Sequence, residues 1–114
     1  MATPLEWTVI VYDKPGTDRT PVRQEHLDNI SSTVNSGIVK AAGPIFQDVE
    51  KTKFAGSTYH LMAKSKEEII EFLKSDPYYK AGIWDVENII AHPCNIPVRL
   101  PKVLKGVDES LYKM

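Results

Sequence analysis

Proton chemistry near neutral pH needs a group that titrates there, and in this chain the best-placed one is His26. A positioned imidazole can take a proton and return it within one turnover. The segment Val22-Arg23-Gln24-Glu25-His26-Leu27 puts it about a turn and a half into an amphipathic stretch, at the edge of its apolar stripe. The alternative is a half-buried histidine bonded to a neighbouring carbonyl. Asp76 is the second candidate. A carboxylate directly before Pro77, Tyr78 and Tyr79 suits the N-cap of a short helical turn, and the same group can orient or charge a histidine. Arg23 falls in the apolar stripe, where a guanidinium needs a carboxylate or a ligand anion. Either it binds a substrate anion or it forms a structural ion pair with Asp13, which is itself an alternative partner for His26. Tyr78, Tyr79 and Trp84 line a pocket or belong to the core. His60 and His92 read as packing or surface residues, and Cys94, between Pro93 and Asn95, as structural or incidental.

Composition narrows the chemistry. With 114 residues the chain has room for one core. Fourteen basic and 15 acidic residues leave a net charge of −1, and no basic stripe exists to neutralise phosphates, so no nucleic-acid partner is expected. No apolar run is long enough to span a bilayer, and residues 1–6 lack a signal-peptide core, which points to a cytoplasmic protein with no membrane partner. A single cysteine makes no internal disulfide. No metal-ligand spacing, phosphate-cradling glycine loop or nucleophile elbow appears, so no cofactor or metal is expected.

The elements that must position these residues follow from periodicity. Residues 6–13 (EWTVIVYD) are β-branched and aromatic and carry apolar bulk on both faces, a strand covered on both sides. After a Pro15-Gly16 loop, Thr20 as N-cap and Pro21 at the first helical position open a helix that Gly37 ends. Arg23, Leu27, Ile30 and Val34 form its stripe. Residues 38–48 make a second strand with Gly43-Pro44 as a bulge or edge kink, and residues 54–64 a third. Ser65-Lys66-Glu67-Glu68 is a capping box ahead of Ile69, Ile70 and Leu73, so a second helix follows. Residues 83–92 form the last strand. The order β-α-β-β-α-β is that of a ferredoxin-like α+β unit, a four-stranded antiparallel sheet with two helices on one face. Two helices cover one face only, so a second copy of the chain is the expected cover for the other. Residues 1–96 then form the domain and residues 97–114 an extension free to wrap over a partner subunit.

Arg23-x-x-His26-Leu27, Ala42-Gly43-Pro44, Gly56-Ser57-Thr58 and Asp76-Pro77-Tyr78 with Ala81-Gly82 together resemble the YciI-like (YCII-related) family, over roughly residues 6–96. That resemblance implies the dimeric α+β barrel superfamily, with His26 as the active-site residue and Asp76 as its carboxylate partner. It also implies substrate contacts from Gly43 and Ser57, alongside Arg23 and Tyr78. The superfamily includes muconolactone isomerases, and one YciI-like branch removes chloride from chlorinated aromatic breakdown products. The expectation is therefore a cofactor-independent lyase, isomerase or hydrolase acting on a small, anionic metabolite, working as a homodimer joined through its sheet faces. Two alternatives stand beside it: a non-catalytic small-molecule-binding or regulatory module, and a cofactorless oxygenase of the same superfamily.

Overall fold

Alternation along the first strand organises the molecule. In the computed structural model, which describes residues 4–98 and 105–112, β1 (Leu5–Asp13) turns Trp7, Val9 and Val11 inward, while Thr8, Ile10 and Tyr12 face the other way. β1 pairs antiparallel with β3 (Phe54–Ala63) and with β4 (Trp84–Pro93), and β2 (Val39–Phe46) pairs with β3, so the sheet order is β2-β3-β1-β4. This is the ferredoxin-like α+β fold. Register carries the inward set across strands: Trp7, Val9 and Val11 stand opposite Leu61, Tyr59 and Ser57. Gly56 is required where β1 and β3 draw together, because a Cβ there would lie 2.2 Å from the Val11 carbonyl oxygen.

Three helices cover the inward face. α2 (Lys66–Lys74) starts as its capping box dictates, the Glu68 amide donating to Ser65 Oγ at 3.2 Å, and it buries Ile69 and Leu73. α3 (Pro77–Lys80) is a single turn capped by Asp76. α1 (Arg23–Asn35) departs from expectation at its start. Thr20 is not its N-cap; residues Thr20–Val22 form a 3₁₀ turn, and Asp18 Oδ1 accepts the Thr20 amide at 2.9 Å. The buried residues of α1 are His26 and Ile30, with Val22 and Val34 against the core. Arg23 is exposed, contrary to its expected place in the stripe.

Gly43-Pro44 makes neither a bulge nor a kink of its own. β2 is the edge strand, so proline is tolerated there, and pairing runs unbroken through Gly43–Thr58 and Pro44–Ser57. The irregularities lie between Val39 and Ala41 and between Ile45 and Phe46. The described part of the C-terminal extension binds the chain's own α1. Asn35 Nδ2 donates to the Gly106 carbonyl at 3.2 Å, Asn35 Oδ1 accepts the Asp108 amide at 2.9 Å, and Val107 is buried. Residues 99–104, 113 and 114 lie outside the described residues. No helix among those described is long and apolar enough to cross a membrane.

Candidate active site

Asp76 performs both roles that its sequence context allows. Its position before Pro77 leaves its backbone extended, and Oδ1 accepts the Tyr78 amide at 2.8 Å, which caps α3. The same carboxylate meets His26, whose Nδ1 lies 2.9 Å from each of its oxygens, and Asn29 Nδ2 donates to Oδ2 at 3.1 Å. His26 and Asn29 are three residues apart on α1 and so share a face. Asp76 is almost fully buried and has three donors aimed at it, so its acceptor character makes Nδ1 the protonated ring nitrogen. In the neutral imidazole that tautomer leaves Nε2 as the unprotonated nitrogen. That nitrogen makes no hydrogen bond among the described residues, and it is not one of the sealed, unpaired polar atoms of the interior.

Aromatic rings fix the imidazole. Tyr78 stacks on it with centroids 3.9 Å apart and planes 18° from parallel, and Trp84 approaches edge-on at 5.7 Å. The Tyr78 phenol is raised above its usual pKa, chiefly by burial, against the opposing pull of Arg19 and Arg23. Tyr59 sits edge-on to Trp84 and is shifted further in the same direction by near-complete burial. Tyr59 Oη and Trp84 Nε1 are buried with no protein partner among the described residues. Interior polar atoms are seldom left so.

Arg19, not Arg23, is the buried cation. Its Nε and Nη2 bind the Asp13 carboxylate at 3.0 and 2.6 Å, and Nη2 also donates to Ser57 Oγ at 3.2 Å. This fork occupies Asp13, so neither the Arg23–Asp13 pair, one of the two roles open to Arg23, nor the alternative Asp13–His26 pair forms. The Arg19 guanidinium carbon lies 4.5 Å from the Tyr78 centroid and 4.9 Å from that of Phe54. It also lines a cavity of about 490 Å³ formed by the 13–19 loop with Gln47, Lys53 and Phe54. His26 and Asp76 do not line that cavity; they connect to it through the layer Arg19–Tyr78–His26.

The structure thus brings together His26, Asp76 and Tyr78, with Arg23 close enough for its charge to act on the Tyr78 phenol. Ser57 joins the neighbouring Arg19 cluster. Gly43, opposite Thr58, belongs to the far face of the sheet and is not part of this grouping. Sequence reasoning missed Asn29 and Arg19. The i+3 relation to His26 signals Asn29, whereas nothing periodic marks Arg19 in its loop. It also missed a second grouping, Glu6, His60 and Cys94, on the open face of the sheet, where His60 Nε2 lies 3.2 Å from Glu6 Oε2.

Comparison with known proteins agrees with the fold. The YCII-related domain model matches residues 5–92, and the chain belongs to that family. It is 37% identical over 94 residues to the aspercryptin biosynthesis cluster protein B of Emericella nidulans, an alignment covering 76% of this chain. The alignment spans 60% of that relative's length, so the relative is substantially longer than the matched part. Among solved structures, the chain resembles 5-chloro-2-hydroxyhydroquinone dehydrochlorinase from Burkholderia phenoliruptrix, in complex with 2,5-dihydroxybenzoquinone. The TM-score is 0.63 at 21% identity, with 80% of this chain and 94% of that one covered.

Proposed function

We propose that this member of the YCII-related family is a cofactor-independent acid–base enzyme of small-molecule metabolism, a lyase, isomerase or hydrolase. The observation that carries the proposal is the buried His26–Asp76 pair, with one imidazole nitrogen tied to a carboxylate and the other without a partner among the described residues. In this reading His26 Nε2 takes a proton from a carbon next to a carbonyl and returns it elsewhere on the substrate. Asp76 holds the tautomer and the ring orientation and stabilises the imidazolium formed in between. Tyr78 keeps the ring from rotating. Arg23, exposed and without an ion pair among the described residues, attracts an anionic group on the substrate. The relative's place in a biosynthesis cluster and the neighbour's action on a chlorinated hydroquinone fit a small, oxygenated substrate.

The test is proton exchange. In deuterated buffer, a panel of enolisable acids and hydroxylated quinones should include compounds whose α-proton the wild-type protein exchanges. His26→Ala and Asp76→Asn should each slow that exchange by about a hundredfold or more. Undiminished exchange in His26→Ala removes the mechanism. A ligand that co-purifies and stays bound to His26→Ala, with no turnover by the wild type, favours the binding-module alternative. Oxygen consumption with the quinols would instead favour the oxygenase.

The assembly proposed with it is a homodimer. Tyr12 and Ile90 are exposed on the helix-free face of the sheet, beside the half-buried Ile10 and Met62, and a second copy would cover them.

A further inference from the structure

We infer that Glu6, His60 and Cys94 form a binding site for one divalent transition-metal ion of the zinc class, on the sheet face away from His26. Their candidate ligand atoms all lie within 4.8 Å of one another, and no other group of three or more histidine, cysteine and carboxylate side chains among the described residues converges in this way. The antiparallel register makes the grouping. Thr8 faces His60 across β1 and β3, and Glu6 lies two residues before Thr8 on the same face of β1. Cys94 follows the end of β4, and its amide donates to the Glu6 carbonyl at 2.9 Å, which anchors the thiol beside the other two.

The donor set is specific in its chemistry. A thiolate, an imidazole and a carboxylate together suit Zn²⁺, whereas Mg²⁺ and Ca²⁺ prefer oxygen alone. Tetrahedral zinc with bonds of about 2.0–2.3 Å spaces its ligand atoms about 3–4 Å apart. His60 Nε2 and Glu6 Oε2 are already 3.2 Å apart, and all three donor atoms lie within 4.8 Å of one another, which is within about 1 Å of that spacing. His60 is buried, while Glu6 and Cys94 are each partly open in the single chain. Coordination would replace the His60–Glu6 hydrogen bond, with His60 bound through Nε2 and its proton on Nδ1. The Cys94 thiol proton passes to solvent. Glu6 Oε2 also accepts the Ile96 amide at 3.3 Å, so an ion here would tie the segment after β4 to both central strands. Three protein ligands leave a fourth position for water.

The experiment uses the purified full chain, stripped with a chelator and titrated with Co²⁺ and then Zn²⁺. The expected result is one Co²⁺ per chain with a thiolate-to-cobalt charge-transfer band, displacement by Zn²⁺, and protection of Cys94 from a thiol reagent. Cys94→Ser should abolish the band, and Cys94→Ser and His60→Gln should each weaken Zn²⁺ binding by at least about a hundredfold, since even groups behind a ligand cost ten- to a hundredfold. Zn²⁺ should raise the melting temperature of the wild type and not that of Cys94→Ser. His92→Ala is the control, because His92 is exposed on the same face, opposite Thr8, and outside the grouping. Absence of the band and of thiol protection overturns the site. So does wild-type affinity in both ligand variants, or binding that disappears with His92→Ala. Should His60→Gln fail to fold, the cobalt spectrum of Cys94→Ser decides alone.

Discussion

The carboxylate of Asp76 can be tested without a substrate, because its three hydrogen bonds constrain which replacements the site accepts. Oδ1 caps Tyr78 at 2.8 Å, Oδ2 receives Asn29 Nδ2 at 3.1 Å, and both oxygens face His26 Nδ1 at 2.9 Å. Asp76→Ala removes a helix cap, a loss of about 1 kcal/mol, and strands two buried donors. The total should approach the about 3–5 kcal/mol lost when one partner of a buried charged pair is deleted. Asp76→Asn keeps a carbonyl oxygen for the cap and for His26 but turns its NH₂ toward the NH₂ of Asn29. Asn29 must turn its own amide over to relieve that contact, and the charge-assisted bonds to the carboxylate become neutral ones, a loss of about 1–3 kcal/mol. At about 4 °C per kcal/mol for a chain of this size, the melting temperature should fall by about 4–12 °C. Asn29→Asp in the Asp76→Asn background reverses the polarity of that contact and should recover at least half of the loss, whereas Asn29→Asp alone sets a second, half-buried carboxylate beside Asp76 and should destabilise. Thermal and urea unfolding of the four proteins close this double-mutant cycle. An Asp76→Asn protein as stable as wild type, or an Asn29→Asp effect equal in both backgrounds, would refute the network. The swapped pair also separates stability from chemistry. Its fold is restored, but the carboxylate no longer faces His26 Nδ1, so proton exchange should stay depressed, and His26→Ala should add little to that defect because the two residues act as a unit.

Tyr59→Phe removes a buried hydroxyl that has no partner among the described residues and should stabilise the protein by about 1 kcal/mol at neutral pH. Burial raises the folded-state pKa of Tyr59 and Tyr78 above 10.0, so the unfolded chain loses their protons first and stability should fall as the pH rises past that value, less steeply in the variant; identical alkaline unfolding would argue against the burial. Arg19→Ala should destabilise by about 3–5 kcal/mol by stranding Asp13 and Ser57, and Arg19→Lys should recover only part, since it cannot reproduce the fork; denaturant unfolding that leaves both variants near wild type would defeat the pairing. Sedimentation at micromolar concentration should show a dimer, and Ile90→Glu on the open face should dissociate it while leaving the fold intact; a single 12.8 kDa species in the wild type would end that proposal.

Local signals reported the parts of this molecule that are locally determined. Ser65 and Asp76 cap the helices that their neighbours announce, and the β-branched and aromatic run of residues 6–13 forms β1. His26 and Asp76 were legible because each sits in a dense motif, although 50 residues separate them. Arg19 was not, and the reason is geometric. Periodicity places Arg23 on the line of Ile30 and Val34, but Arg23 is the first residue of α1, and how that end docks, with His26 buried and Arg23 exposed, is a tertiary property. The 13–19 loop has no period from which the inward turn of Arg19 could be read. Glu6, His60 and Cys94 were illegible for a different reason. Linear spacing reveals a metal site only when its ligands share a turn or a hairpin, and these three lie on or beside three different strands. What joins them is register, a property of pairing between distant segments. A shift of one residue between β1 and β3 would send His60 to the helix side and dissolve the grouping. The His26–Asp76 pair depends on helix docking and not on that register, so disrupting one site should leave the other in place.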